Sequence, residues 1–173
     1  MHPTTGQAPR KRLYTPEERA RRDTTRWTLI QGLLAPAQFV AFAVSVVLVL
    51  RFLWTGDGYA AATVSILVKT GFLNVIMITG AIWEKVVFGQ YLFAPAFFWE
   101  DVVSFVVIAL HSLYLWALYT DFLTPTGLML LALAAYATYV VNAGQFLWKL
   151  RLARLDAEAE TMAENRTMAE VVA

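Results

Sequence analysis

The chain has no cysteine, which excludes disulfides, thiolate catalysis and any cysteine-ligated zinc or iron–sulfur centre. It has two histidines. One of them, His2, falls in a polar amino-terminal stretch, so a multi-histidine metal site is not expected. No glycine-rich nucleotide-binding motif occurs, and no internal repeat or second domain is visible. Charge is sparse: Asp, Glu, Lys and Arg make up 16% of the 173 residues, while 58% are hydrophobic. A soluble domain carries about a quarter charged residues. With a mean hydropathy of +0.54, the composition is that of an all-α polytopic membrane protein.

The formal net charge of +1 hides an asymmetry. Arg10, Lys11, Arg12, Arg19, Arg21, Arg22 and Arg26 all precede the first apolar run, which makes the basic cluster a topology signal and not a nucleic-acid footprint. Four apolar runs, approximately 27–53, 59–83, 96–119 and 128–150, are each long enough to cross a hydrocarbon core of about 30 Å. The first begins late and lacks a signal-peptide cleavage pattern, so it is expected to stay in the membrane. Lys149, Arg151, Arg154 and Arg166 follow the last run. Positive charge therefore flanks both ends of the bundle, which predicts four spans with both termini cytoplasmic. Residues 1–13 read as a disordered basic tail, 14–155 as one membrane domain and 156–173 as a flexible tail. Thr15, Pro16 and Glu18 form a capping-box pattern with proline at the first helical position, predicting a short basic interfacial helix before the first span.

Polar residues inside the spans have to face protein or a ligand. Gln31, Gln38 and Ser45 recur every seven positions and form one stripe, for which interhelical hydrogen bonding is the plain reading; Pro36 between them is expected to kink the helix or free a carbonyl. Lys69 lies about 15 Å along its helix from Tyr59, too deep to snorkel. Such a lysine pairs with a carboxylate, gives up its proton or meets an anionic ligand. Glu100, Ser104, Val107 and His111 follow the spacing i, i+4, i+7, i+11 and stack on one helical face, with His111 about 16 Å deeper than Glu100. A lone transmembrane histidine is either a packing residue or an axial ligand to a macrocycle metal. Asn142 and Gln145 lie one turn apart.

The stretch WEKVVFGQYLFAPAFFWED at 83–101 gathers acids, a lysine, aromatic rings, a glycine and a proline between two apolar runs. It is expected at the membrane surface or folded back into it. Glu84 and Lys85 end one helix, while Glu100 and Asp101 begin the next. Paired acids against an apolar wall split their protonation between them, as acid/base chemistry requires. Acids in a first helical turn also stabilise the helix dipole, and Glu84 has Lys85 and Lys69 as alternative partners. The rings of Phe97 and Trp99 suit a flat macrocycle and equally suit an interfacial aromatic belt.

This stretch, together with LYTPEERARRD at 13–23 and AAYATYVVNAGQFL at 134–147, resembles the 3-vinyl bacteriochlorophyllide hydratases, called 2-vinyl in older ring numbering. Three segments match in order and at similar spacing, covering most of 13–155. The resemblance implies a hydro-lyase of bacteriochlorophyll biosynthesis. It would add water across the ring-A vinyl group of chlorophyllide a or a related Mg-chlorin to give the 1-hydroxyethyl product. It implies no required cofactor, with magnesium present only as part of the pigment, and residence in a bacterial inner or intracytoplasmic photosynthetic membrane. The lipid bilayer is then a constant neighbour, and a second copy or a neighbouring pathway enzyme stays open as a partner. Rival readings are a non-enzymatic pigment carrier or photosynthetic-complex assembly subunit, for which His111 and the rings suffice, and a small transporter with Lys69 and Glu100 on a proton path.

Hydration of a conjugated vinyl group begins with protonation of its terminal carbon, followed by attack of water on the inner one. It needs a protonated acid, a base that orients water and a hydrophobic slot. On these residues Glu100 is expected as the acid, with Glu84 or Asp101 as the base. Glu100 and Asp101 point about 100° apart on a helix, so Glu84 is the better partner for Glu100 if the segment folds back. His111 is expected either to ligate the pigment magnesium or to donate a proton. Lys85 or Lys69 would hold the propionate, Asn142 and Gln145 would bond ring carbonyls, and Phe97 and Trp99 would line the slot.

Overall fold

The computed structural model describes residues 13–172. Of the expected amino-terminal tail, only Leu13 falls among them; residues 1–12 lie outside. Leu13 donates its N–H to Asp156 Oδ2 at 3.3 Å. Five helices follow in order: α1 (Pro16–Thr24), α2 (Arg26–Thr55), α3 (Tyr59–Phe88), α4 (Phe98–Tyr119) and α5 (Pro125–Val172), with no strand among the described residues.

α1 starts as its sequence predicts. Thr15 Oγ1 accepts from Glu18 N at 3.3 Å and Glu18 Oε2 accepts from Thr15 N at 2.8 Å, a closed capping box worth about 1 kcal/mol. The four longer helices are each long and apolar enough to cross a membrane. α2 pairs extensively with α3, and α4 with α5; narrower contacts between α2 and α5 and between α3 and α4 join the two hairpins. With four such helices, α1 and the distal part of α5 come to the same end of the bundle, where α1 packs against α3 and Arg19 pairs with Glu160 of α5.

Several helix ends differ from the hydropathy reading, α2 ending at Thr55 and α5 starting at Pro125 among them. α3 runs five residues past position 83 to Phe88 and stops at Gly89, whose φ of 84° is the left-handed conformation that closes helices; Glu84 and Lys85 are therefore helical. α4 begins at Phe98 rather than 96. α5 does not end at 150 but continues unbroken to Val172, because 151–172 holds neither glycine nor proline and is rich in the helix formers Ala, Glu, Arg and Leu. Pro36 sits inside an α2 that continues on either side of it.

The bundle is apolar outside and polar within. Leu29, Val40, Val47, Val64 and Leu147 are exposed where lipid would lie, while Gln38, Ser45, Lys69, Glu84, Glu100, Asp101, His111 and Asn142 are buried. The glutamine–serine stripe on α2 does face protein: Gln31 donates to Thr79 Oγ1 at 2.7 Å, and Ser45 Oγ lies 2.8 Å from Ser65 Oγ and 2.6 Å from Tyr136 OH. Polarity is also graded along the bundle. Far from the termini, Val49, Ala62, Ile66, Ala117, Met129 and Ala132 form a dry core, its small alanines allowing close helix approach. The buried acids sit at the other end.

Candidate active site

The α3–α4 connection folds back over the end of the bundle, and its backbone holds two carboxyl groups. After Gly89 the chain reaches Phe93, which adopts φ 59°. A left-handed phenylalanine costs about 1–2 kcal/mol and persists only where its surroundings enforce it. Here the enforcing contacts are plain. Phe93 N donates to Asp101 Oδ2 at 2.6 Å, and Ala94 N donates to Glu84 Oε2 at 3.1 Å. Two successive amides thus make a small anion-binding nest that draws one acid from α3 and one from α4 together. The two carboxyl groups are thereby held side by side on adjacent amides, and both residues are buried. Glu84 therefore partners Asp101 and neither lysine.

Glu100 points round the helix toward α5. Its Oε1 lies 3.7 Å from Lys149 Nζ, an ion pair with a half-buried lysine that also bonds the Ala96 carbonyl. Its backbone carbonyl accepts from Asn142 Nδ2 at 2.9 Å and from Ser104 Oγ at 2.8 Å, and Asn142 also donates to Ser104 Oγ at 3.0 Å. Asn142 is thereby committed to fixing the first turn of α4, and bonding a ring carbonyl would mean giving up one of these contacts. Glu100 Oε2 is buried with no hydrogen-bond partner among the described residues, and so is Gln145 Oε1. An ion-paired carboxylate with one free oxygen is suited to accept a hydrogen bond from a small guest.

Aromatic rings close the cluster on the side of the termini. Phe97 is buried and packs with Trp83 (5.6 Å between centroids), Phe88 (5.8 Å) and Phe146 (6.1 Å), while Tyr14 stacks on Phe88 at 5.7 Å. Trp83 Nε1 donates to Thr28 Oγ1 at 2.9 Å, tying the roof to α2. Burial pushes the Tyr14 hydroxyl up to about 12 even though the Arg22 guanidinium lies 4.8 Å from its ring centroid. Lys85 and Trp99 lie outside this enclosure: Lys85 reaches back to the Gly89 carbonyl at 2.7 Å, and Trp99 is 68% exposed.

Lys69 and His111 form a separate unit, about 16 Å deeper along α4 by helical rise. His111 Nδ1 lies 2.7 Å from the Val107 carbonyl, so it carries the ring proton, and Nε2 accepts from Lys69 Nζ at 2.9 Å. The lysine is fully buried, with its Nζ 4.1 Å from the Tyr139 ring centroid and 5.4 Å from that of Tyr136. Its partners are a neutral imidazole and two π faces, with no carboxylate bonded to it among the described residues. Two hollows on the outer face of α2, lined by Val47, Leu50, Arg51 and Trp54 and by Ala43, Val44 and Leu48, contain none of these groups.

The expected face of Glu100, Ser104, Val107 and His111 is buried throughout. Lys149 was legible only as a topological charge. The signal for more was present: it lies seven residues after Asn142, on the same face of α5. Tyr14, Phe88 and Phe146 carried no local signal, because each reaches Phe97 from a different segment of the chain.

Fold and site together define a four-span membrane protein that keeps carboxyl groups out of water at one end of its bundle, an arrangement suited to moving protons beside an apolar molecule. The family profile described as 2-vinyl bacteriochlorophyllide hydratase matches residues 14–152. The 2-vinyl bacteriochlorophyllide hydratase of Cereibacter sphaeroides is 72% identical over 160 residues, 92% of this chain and 99% of the relative; that of Rhodobacter capsulatus is 72% identical over 152 residues, 87% and 88%. No solved structure matches. The chain belongs to the 2-vinyl bacteriochlorophyllide hydratase family, and is a hydro-lyase of bacteriochlorophyll biosynthesis.

Proposed function

We propose that the chain adds water across the ring-A vinyl group of chlorophyllide a or a related Mg-chlorin, and that the buried acids at the end of α3 and the start of α4 carry out the proton transfers. The observation behind this reading is the Glu84–Asp101 pair, held by two successive amides and shielded from bulk water. Two carboxyl groups held on adjacent amides away from bulk water are suited to sharing one proton, because two neighbouring negative charges repel strongly there. That proton is the acid of the reaction. It goes to the terminal vinyl carbon, whose π pair forms the new C–H bond, and the positive charge left on the inner carbon delocalises into the macrocycle. Water attacks the inner carbon, forming the C–O bond, and its surplus proton passes to a base.

Glu100 Oε2, buried and unpartnered, is the base this reading assigns, which reverses the role expected from sequence. Lys149 keeps Glu100 in place, and proton return from Glu100 to the pair resets the site with one water consumed. No redox partner or cofactor enters the balance. In D₂O the product should carry one deuterium in its new methyl group, and in H₂¹⁸O one labelled hydroxyl. An unlabelled methyl group would rule out protonation at the terminal carbon. A parent chain giving no labelled alcohol from chlorophyllide a would remove the reading altogether.

His111 as a magnesium ligand and the acids as the hydration site are alternatives for one bound pigment. The depth between them exceeds the distance from a vinyl substituent to the centre of its own ring, and His111 Nε2 is already taken by Lys69. The reading adopted here leaves Lys69 and His111 in the bundle interior and assigns the propionate to cations near the membrane surface, among which Lys85 is exposed. The basic residues flanking the bundle support a cytoplasmic location for both termini and for the acid cluster. The membrane would be the bacterial inner or intracytoplasmic photosynthetic membrane.

A further inference from the structure

Three half-exposed rings gather on the face of α4 that carries Asp101. Phe98, Asp101 and Phe105 follow i, i+3, i+7 on α4 and share a face, and the Phe93 ring lies across them, 5.7 Å from Phe98 and 5.5 Å from Phe105. With Phe105 the stack is nearly parallel, at 12°. Phe93, Phe98 and Phe105 are 39%, 44% and 43% exposed while Asp101 beneath them is 3% exposed. The backbone of Phe93 is the strained one, at φ 59°, and its N–H holds Asp101.

We propose that Phe105 and Phe98 form the platform for the flat conjugated ring of the pigment, and that the Phe93 ring occupies the pigment's place until it arrives from the bilayer. Three observations support this occupant over a lipid chain. An aryl ring already stacks parallel on Phe105, as a planar π system does and an acyl chain does not. The platform is continuous with the only carboxyl pair held by backbone amides among the described residues, so a ring seated there brings a substituent on its edge to the proton. Finally, the covering ring is 39% exposed and can swing aside about its own side-chain bonds while the Phe93 N–H keeps its hold on Asp101. The inference rests on the hydratase reading and adds to it the surface on which the ring lies and the direction of approach.

The test uses the full chain in membranes of photosynthetic-type lipid, with chlorophyllide a as the varied substrate and hydrated product as the readout. Phe105→Leu keeps the site apolar but removes the ring, and should raise KM roughly three- to tenfold, more than it lowers kcat; Phe105→Trp should restore KM. Phe93→Gly, which tolerates positive φ without strain, should lower KM by uncovering the platform. Pigment bound at Phe105 should also show an absorbance shift that Phe105→Leu diminishes. If the parent hydrates the pigment with label and Phe105→Leu, at unchanged thermal stability, keeps the parental KM and absorbance shift, lipid alone covers the ledge and the platform is wrong. A Phe105→Leu variant that fails to fold leaves Phe93→Gly to decide: a parental KM and absorbance shift in that variant overturns the proposal. Absence of labelled product from the parent would count against the hydratase reading instead.

Discussion

Asp101 and Glu84 hold their positions through the N–H groups of Phe93 and Ala94, so chemistry at this site depends on backbone as much as on side chains. Replacing either acid by its amide, Asp101→Asn or Glu84→Gln, keeps the shape but removes the shared proton. Each should lower turnover by about 10²- to 10⁴-fold, and the double variant should be no worse than the single ones, since the pair acts as a unit. Additive losses in turnover assays would show that the two acids work independently. Lys69→Met keeps the apolar stem but leaves His111 Nε2 buried without its donor, a loss of about 1–3 kcal/mol. Its thermal midpoint in detergent should fall, with hydration retained wherever the variant stays folded; lost turnover in the folded variant would return Lys69 to the reaction. At this scale the sequence was informative wherever helical spacing governs, as with Glu100, Ser104, Val107 and His111. It was silent about Phe93, because nothing in a phenylalanine announces a left-handed backbone.

Among the elements, α1 is the one whose docking can be titrated. Tyr14 sits between Phe88 and Arg22 with its hydroxyl pushed from 10.0 to about 12 by burial. The docked tyrosine binds its proton more tightly than the free one, so its contribution to docking is complete below pH 10 and is lost as pH rises through about 12. The difference in tyrosinate absorbance between parent and Tyr14→Phe should therefore titrate near the upper value, and a midpoint near 10 would mean that α1 is not docked. The capping box of α1 and the apolar runs were readable because local residues cause them. The far end of α3 was not, since Glu84 and Lys85 look like an interfacial stop until Gly89 is recognised as the terminator. The unbroken length of the C-terminal extension was not legible for the opposite reason: hydropathy marks where a helix leaves the hydrocarbon and does not mark where it ends.

For the whole molecule, the separation of a dry core at one end from buried acids at the other gives the bundle a polarity that can be checked against its orientation. Because the chain has no cysteine, single reporters carry no background. Asp57→Cys, in the α2–α3 turn, and Ala169→Cys, near the end of α5, should label from opposite faces of sealed vesicles, with Ala169→Cys reached from the cytoplasmic face. Labelling of both from one face would break the four-span topology; the reverse assignment would move the acid cluster to the other side of the membrane. The number of spans was legible because hydrocarbon thickness sets a length that composition alone can meet. Which hairpins pair, and that Lys149 meets Glu100, depend on contacts across the bundle that no local pattern encodes.

α5 has one further mechanical consequence. It carries Asn142 and Lys149 beside the acids and, without a break, Asp156 and Glu160, which fasten Leu13 and Arg19. By helical rise its 48 residues span about 70 Å, more than twice a hydrocarbon thickness of about 30 Å. The part beyond the bilayer therefore lies on one unbroken rod with Lys149, and a proline placed between Lys149 and Asp156 should uncouple the anchorage of Leu13 and Arg19 from the acid cluster.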